Sequence, residues 1–210
     1  MAFKTTDIVI KAPNLRIMEL EIEGTAPYVQ HKWTRKALAQ MREKQAAGDK
    51  AKARRAKEPK DFDALYAEST YRLPDGSYGI PAPSFRNAMI SACRTIGLAM
   101  TRAKLAVFAL ADGYDRDDRT TPLVRFTRGE PSKLEMPARN ESGVCDIRVR
   151  PMWEPGWRAV VRLRFDADML DEADVVNLLA RAGAQVGIGE GRPDGKNSAG
   201  LGWGLFQIVP

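Results

Sequence analysis

The sequence is poor in the residues on which most enzyme chemistry relies. It holds one histidine, His31, in 210 residues. Any imidazole-based acid–base or nucleophilic scheme must therefore run through that side chain. The two cysteines, Cys93 and Cys145, show neither metal-ligand nor redox spacing. They are expected to be two buried thiols in a reducing cytoplasm, not a disulfide framework. No apolar run approaches the roughly 18 residues of a membrane span. The longest, residues 105–111, has the length of a strand. Residues 1–7 hold no long apolar stretch, so no secretory leader is expected, and neither is a membrane partner. No 20–50-residue internal repeat is present, which sets aside solenoids and propellers.

What the chain does have is charge and glycine, both unevenly placed. The formal net charge is +6. Residues 32–60 hold eleven Lys or Arg against three Asp or Glu, a net of +8, which leaves −2 for the rest of the chain. This segment is rich in Ala, Lys, Arg, Gln and Glu, all good helix formers, with few apolar positions after Met41. It reads as a solvated helical arm. One reading is a plain charged helix; the other is an electrostatic footprint for phosphates, with Lys32, Arg35, Lys36 and Arg42 as contacts. Hydrophobic residues make up 44% of the chain, enough for a substantial core.

Seven of the 17 glycines fall between positions 187 and 204. Glycine admits φ > 0 and a close second backbone, so a dense run is a device for presenting main-chain N–H groups. Phosphate is a frequent recipient. Spacing removes the nucleotide-cofactor versions. A Walker loop would need glycine where Glu190 stands and Ser or Thr where Asn197 stands. Gly189-x-Gly191 lacks the third glycine of a dinucleotide fingerprint, and the tract follows a helical pattern where the fingerprint precedes one. No cofactor is expected.

The order helix, Gly187-Ile188-Gly189-Glu190-Gly191-Arg192-Pro193, then Gly200-Leu201-Gly202-Trp203-Gly204 and an aromatic-ended strand, resembles the C-terminal glycine-rich loop of the RAMP superfamily. These are backbone and processing subunits of CRISPR-associated complexes. Upstream, Ile80-Pro81-Ala82-Pro83-Ser84-Phe85-Arg86-Asn87-Ala88 is similar to the segment that opens the family's first long helix. Pro83 replaces its first serine and Asn87 its glycine. The resemblance implies a nucleic-acid backbone binder or a stand-alone, phage-borne relative. It also implies single-stranded nucleic acid as partner, with RNA favoured, and head-to-tail homo-oligomers or a place in a ribonucleoprotein complex. Gly189, Gly191, Arg192 and Lys196 would then meet phosphates, with Arg86 nearby.

Hydrophobic periodicity supplies an independent element order. Met18, Leu20 and Ile22 alternate with Glu19, Glu21 and Glu23, a half-buried strand. Residues 66–72 and 77–80 suggest a small hairpin around a Pro74–Gly76 turn. A helix is expected from Pro83 to about Ile96, with Phe85, Ala88, Met89, Ala92 and Ile96 as its apolar stripe. Strands are expected at 104–110 and 123–127, with loops at 112–121 and 131–143. Two strands at 144–150 and 157–165 read as a hairpin. Asp171 caps a last helix that Gly183 ends, and 203–209 is the closing strand. The expected fold is α+β: one domain over 1–210, a ferredoxin-like (RRM-like) βαββαβ core with long loops and a basic helical insertion at 32–72.

On the expected hairpin, Arg148 and Arg150 alternate with Ile147 and Val149, and Arg158, Arg162 and Arg164 with Ala159, Val161, Leu163 and Phe165. Period two would place all five arginines on one face. That face is either compensated by Glu19, Glu21 and Glu23, with Arg125 and Arg128 beside it, or it contacts phosphates. For catalysis, the only candidate set is His31 as base with Tyr28 and Lys32 beside it, as in the repeat-processing ribonucleases of the same superfamily. Asp112, Asp115, Asp117 and Asp118 form either a metal site or a solvated turn. A protein-assembly module, in which the glycine loop only packs on neighbouring backbone, is the remaining alternative.

Overall fold

The computed structural model describes residues 11–33, 35–47, 61–139, 145–195 and 200–210. The chain runs β1 (Leu15–Gly24), β2 (Tyr28–Val29), α1 (Arg35–Ala47), α2 (Phe62–Glu68), β3 (Gly79–Pro81), α3 (Ala82–Ala92), α4 (Met100–Ala106) and β4 (Val107–Leu110). It continues through β5 (Gly113–Tyr114), β6 (Pro122–Arg128), β7 (Pro131–Arg139), β8 (Cys145–Trp153), β9 (Arg158–Asp166), α5 (Glu172–Arg181) and β10 (Phe206–Ile208).

The main sheet has the order β10-β1-β9-β6-β3, with β4 also on β9 and β5 on β6. Its pairings are antiparallel. Taking β1, α3, β4 with β6, β9, α5 and β10 as the core units, the sheet order is fourth, first, third, second strand. That is the ferredoxin-like arrangement expected for an α+β chain of this pattern. The second core strand is split. β4 covers one end of β9, Val107 opposite Phe165, and β6 covers the other, Phe126 opposite Ala159.

The local signals explain these elements. In β1 the alternation buries Ile22 and turns the glutamates to the opposite face. Helix α3 carries Pro83 in its first turn, where its missing N–H costs nothing. Its Phe85, Ala88, Met89 and Ala92 are buried, whereas Ile96 lies beyond the helix and is exposed. Asp171 caps α5 in a reciprocal box with Asp174, and Val175, Leu178 and Leu179 face the core. Against them the sheet presents Ala159, Val161, Leu163 and Phe165. Each large side chain buried there contributes about 1.5–3 kcal/mol.

Several expectations are corrected. Residues 104–106 belong to α4, and only 107–110 are strand. Alanine, leucine, lysine and arginine sustain the helix before the β-branched Val107. Residues 131–139 form β7 where a loop was expected. The strand lies at the edge of a three-stranded sheet, β2-β8-β7, where its prolines are tolerated. The strands β8 and β9 are not a hairpin, because β8 belongs to this second sheet and β9 to the first. The link between them is pinned to β1, since Gly156 N–H donates to Gly24 O at 2.8 Å and Gly24 N–H donates to Trp157 O at 2.8 Å. Trp153 and Trp157 on either side of that link are buried with Tyr28 and Phe126. Phe126 stacks on Trp153 at 4.6 Å, so an aromatic cluster joins the two sheets. Finally, Gly183 does not end α5. A π-type turn (Ala182–Val186) follows and stops at Gly187, with φ 72°. Gly183 is needed for a different reason: a Cβ there would lie 2.2 Å from Phe206 O.

The expected hairpin before α3 is reduced to its turn. Residues 66–68 are helical, and Arg72 pairs with Tyr78 across the turn. Cys93 is buried as expected; Cys145, also expected to be buried, is exposed near the start of β8, and both are free thiols. Among the described residues, no helix is long and apolar enough to cross a membrane.

Candidate nucleic-acid interface

The chain leaving β2 stays extended, and its side chains alternate. Tyr28, Gln30 and Lys32 turn inward, whereas His31 and Trp33 are exposed. Tyr28 lies in the aromatic cluster, where burial raises its phenol pKa. Gln30 donates from Nε2 to Gly79 O at 2.8 Å and accepts at Oε1 from Tyr71 N–H at 2.8 Å. Lys32 Nζ sits 2.7 Å from both Asp115 Oδ2 and Asp117 Oδ2, with the Tyr71 ring beside it. The inward set thus anchors the start of the basic segment.

The outward set meets β8 and the glycine loop. Val29 pairs with Met152 and Gln30 N–H donates to Pro151 O, so the extended register brings His31 beside Arg150. On β8, Arg148, Arg150 and Met152 share this face, while Val149, Pro151 and Trp153 are buried on the other. On the far side of β2, Glu190 N–H donates to Val29 O at 2.9 Å. That docks the glycine loop as a partial extra strand.

The glycines make this docking possible. At Gly189, φ is 80° and a Cβ would lie 2.5 Å from Val29 O. At Gly204, φ is 71° and a Cβ would lie 1.7 Å from Ile188 O. Much of the tract therefore folds on itself and on β2, with Ile188 N–H bonded to Gly204 O and Gly204 N–H to Pro27 O. Among the described residues, the Gly189 and Gly191 amides form no hydrogen bond. Arg192 is turned back on the loop, its Nη1 donating to Gly189 O at 2.9 Å.

The docked loop carries one carboxylate into a cluster of cations. Glu190 Oε2 accepts from Arg150 Nε at 2.8 Å and lies 3.9 Å from His31 Nδ1. Glu190 Oε1 lies 3.8 Å from Arg148 Nη1. Among the described residues, two guanidiniums converge on this one carboxylate. His31 lies beside them. Burial lowers its pKa first, and Arg150 and Arg148 lower it further against the opposing pull of Glu190.

The structure thus brings together His31, Arg148, Arg150, Gly189 and Gly191, and it disperses other expected site residues. Arg86 caps the end of α4, donating to Val107 O at 3.1 Å and Lys104 O at 2.5 Å while lying over Phe108. Arg164 also lies over Phe108. Arg162 donates to Ala111 O and Asp112 Oδ1, each at 2.8 Å. Arg158 pairs with Glu23 and Glu21 on β1. The expected five-arginine face is therefore divided between two sheets, and on the main sheet Arg158 and Arg162 have acidic partners. Arg125 is paired with Asp75.

The set His31, Tyr28 and Lys32 is not assembled, because Tyr28 and Lys32 are buried on the side away from His31. The aspartates serve as partners within the fold. Asp115 and Asp117 take Lys32, Asp112 takes Arg162, and Asp118 accepts from Thr120 and Thr121 N–H. Among the described residues, no group of three or more His, Cys, Asp or Glu is arranged to hold a metal. Arg42 is exposed on α1; Arg35 and Lys36 belong to the same helix, and Lys196 lies outside the described residues.

Glu190 had no assigned role in the sequence, although a lone acid inside a glycine run is itself a signal. At the base of the basic segment, Trp33 could by sequence either pack or stack, with packing favoured; the alternation imposed by β2 leaves it exposed instead.

No protein-family model matches the chain, and no curated relative does. A crystal structure of Cmr6 from Pyrococcus furiosus aligns with 94% of this chain and 99% of its own, at 9% identity and a TM-score of 0.44. A likeness at that score carries no argument about function.

Proposed function

We propose that the chain holds the phosphate backbone of single-stranded nucleic acid on the face formed by Arg148, Arg150, His31 and the glycine loop. The observation that carries this is the charge imbalance at Glu190: Arg148 and Arg150 converge on one carboxylate. Arg158 and Arg162 on the main sheet, by contrast, have acidic partners of their own. A phosphate oxygen supplies the missing negative charge. Arginine's planar fork suits it, and the amides of Gly189 and Gly191 add neutral donors. Glu190 sets the two guanidiniums in place beforehand. The basic helix α1, which follows Trp33 and carries exposed Arg42, extends the positive field along the strand's path.

The resemblance of the loop and of residues 80–88 to the RAMP superfamily supports the same reading. It favours RNA and copies bound head to tail along one strand. Under that reading, the bound stoichiometry rises with oligonucleotide length. The main test is salt dependence of binding to single-stranded RNA and DNA. Arg148→Ala should weaken binding and lower the salt slope by about 0.7 for each phosphate that Arg148 neutralises. Arg162→Ala should leave that slope unchanged. Equal effects from the two substitutions would refute this placement of the interface.

A further inference from the structure

Trp33 stands apart from the other tryptophans. Trp153 and Trp157 are buried and Trp203 is half-buried, but Trp33 is 53% exposed. Its ring lies 5.0 Å from His31, tilted by 42°, so the pair forms an aromatic step beside Arg148 and Arg150. Behind it is a cleft of about 280 Å³, lined by Trp33, Leu38 and Tyr71, by Glu68, Asp117 and Asp118, and by Lys32, which is paired with Asp117. Leaving so large an apolar ring in water has no folding benefit. With Lys32 spent on Asp115 and Asp117, Glu68 and Asp118 keep the cleft acidic, which disfavours phosphate there and offers acceptors to exocyclic amines. Phosphate-attracting and phosphate-repelling surfaces therefore meet at Trp33.

Resting on the phosphate-binding reading above, we infer that Trp33 is the platform on which an unpaired base stacks. The base edge points into the cleft while the backbone passes over Arg148 and Arg150. A base held in a duplex cannot reach such a platform, so Trp33 sets the preference for single strands.

The test uses the full chain, its Trp33→Ala and Trp33→Phe variants, and three fluorescein-labelled probes: a single-stranded 12-mer, its duplex, and an abasic strand of equal length. Trp33→Ala removes an exposed ring and leaves the buried core untouched. Expected results are an about 5- to 150-fold weaker affinity of Trp33→Ala for the single strand, from the usual range for one base–aromatic stack, and recovery of most of it in Trp33→Phe. Abasic-strand affinity and salt slope should not change, and tryptophan quenching on binding should vanish in Trp33→Ala. An unchanged single-strand affinity, or an equal loss on the abasic strand, overturns the stacking role while the phosphate reading stands. Loss on Trp33→Ala without any effect of Arg148→Ala would instead sink the phosphate placement and keep the stack. No binding of any probe by the wild-type chain at low salt overturns both.

Discussion

Replacing Lys32 by methionine separates a structural lysine from a phosphate-binding one. The Lys32 side chain is 9% exposed and that of Asp115 is fully buried, with Nζ 2.7 Å from Asp115 Oδ2 and from Asp117 Oδ2. Methionine keeps the stem and removes the charge. Losing one partner of a buried pair costs about 3–5 kcal/mol, because the other charge is left in low dielectric. Asp115 retains the N–H groups of Arg72, Asp117 and Asp118, which keep part of its charge solvated by the backbone. The lower end, about 3 kcal/mol, is therefore expected. Urea denaturation should show the midpoint falling by about 1–3 M at unchanged slope. The melting temperature should fall by about 6–12 °C for a chain of this size. Below the melting transition, the salt slope for nucleic acid should match wild type. A stability loss under about 1 kcal/mol, or a salt slope lowered by the equivalent of a whole phosphate, would refute the account of Lys32 as an anchor.

Three further outcomes follow from the same geometry. Gly204→Ala should fail to give soluble folded protein, because its Cβ would lie 1.7 Å from Ile188 O. Gly200→Ala, also at positive φ but with open space around it, should cost about 1–2 kcal/mol by circular-dichroism melts. For His31, the folded-state pKa lies below the unfolded value of 6.5, so the unfolded chain takes up the proton first as pH falls. Stability should therefore be level above about pH 6.5 and decline below it until the folded-state pKa is passed, and His31→Gln should remove that part of the decline in urea midpoints measured from pH 7.5 to 5.5.

Features governed by near neighbours along the chain are legible in the order of residues. The β1 alternation, the Asp171 cap, the α3 stripe from Phe85 to Ala92 and the place of the glycine tract between the last helix and the last strand all follow from spacing and turn chemistry. Together they are enough for an α+β chain of ferredoxin-like order. Strand partnership is not available in the same way, because hydrogen-bonded pairing joins residues remote in sequence and period two says only which side chains share a face. β8 and β9 look like a hairpin by every local criterion, yet buried Trp153, Trp157, Tyr28 and Phe126 pull them into different sheets. That division gave Arg158 and Arg162 acidic partners and left Arg148 and Arg150 sharing Glu190. Composition alone showed an excess of arginine. Which carboxylate each arginine meets was decided by folding, because a charge is neutralised by what lies within a few ångströms of it, and those neighbours come from distant parts of the chain.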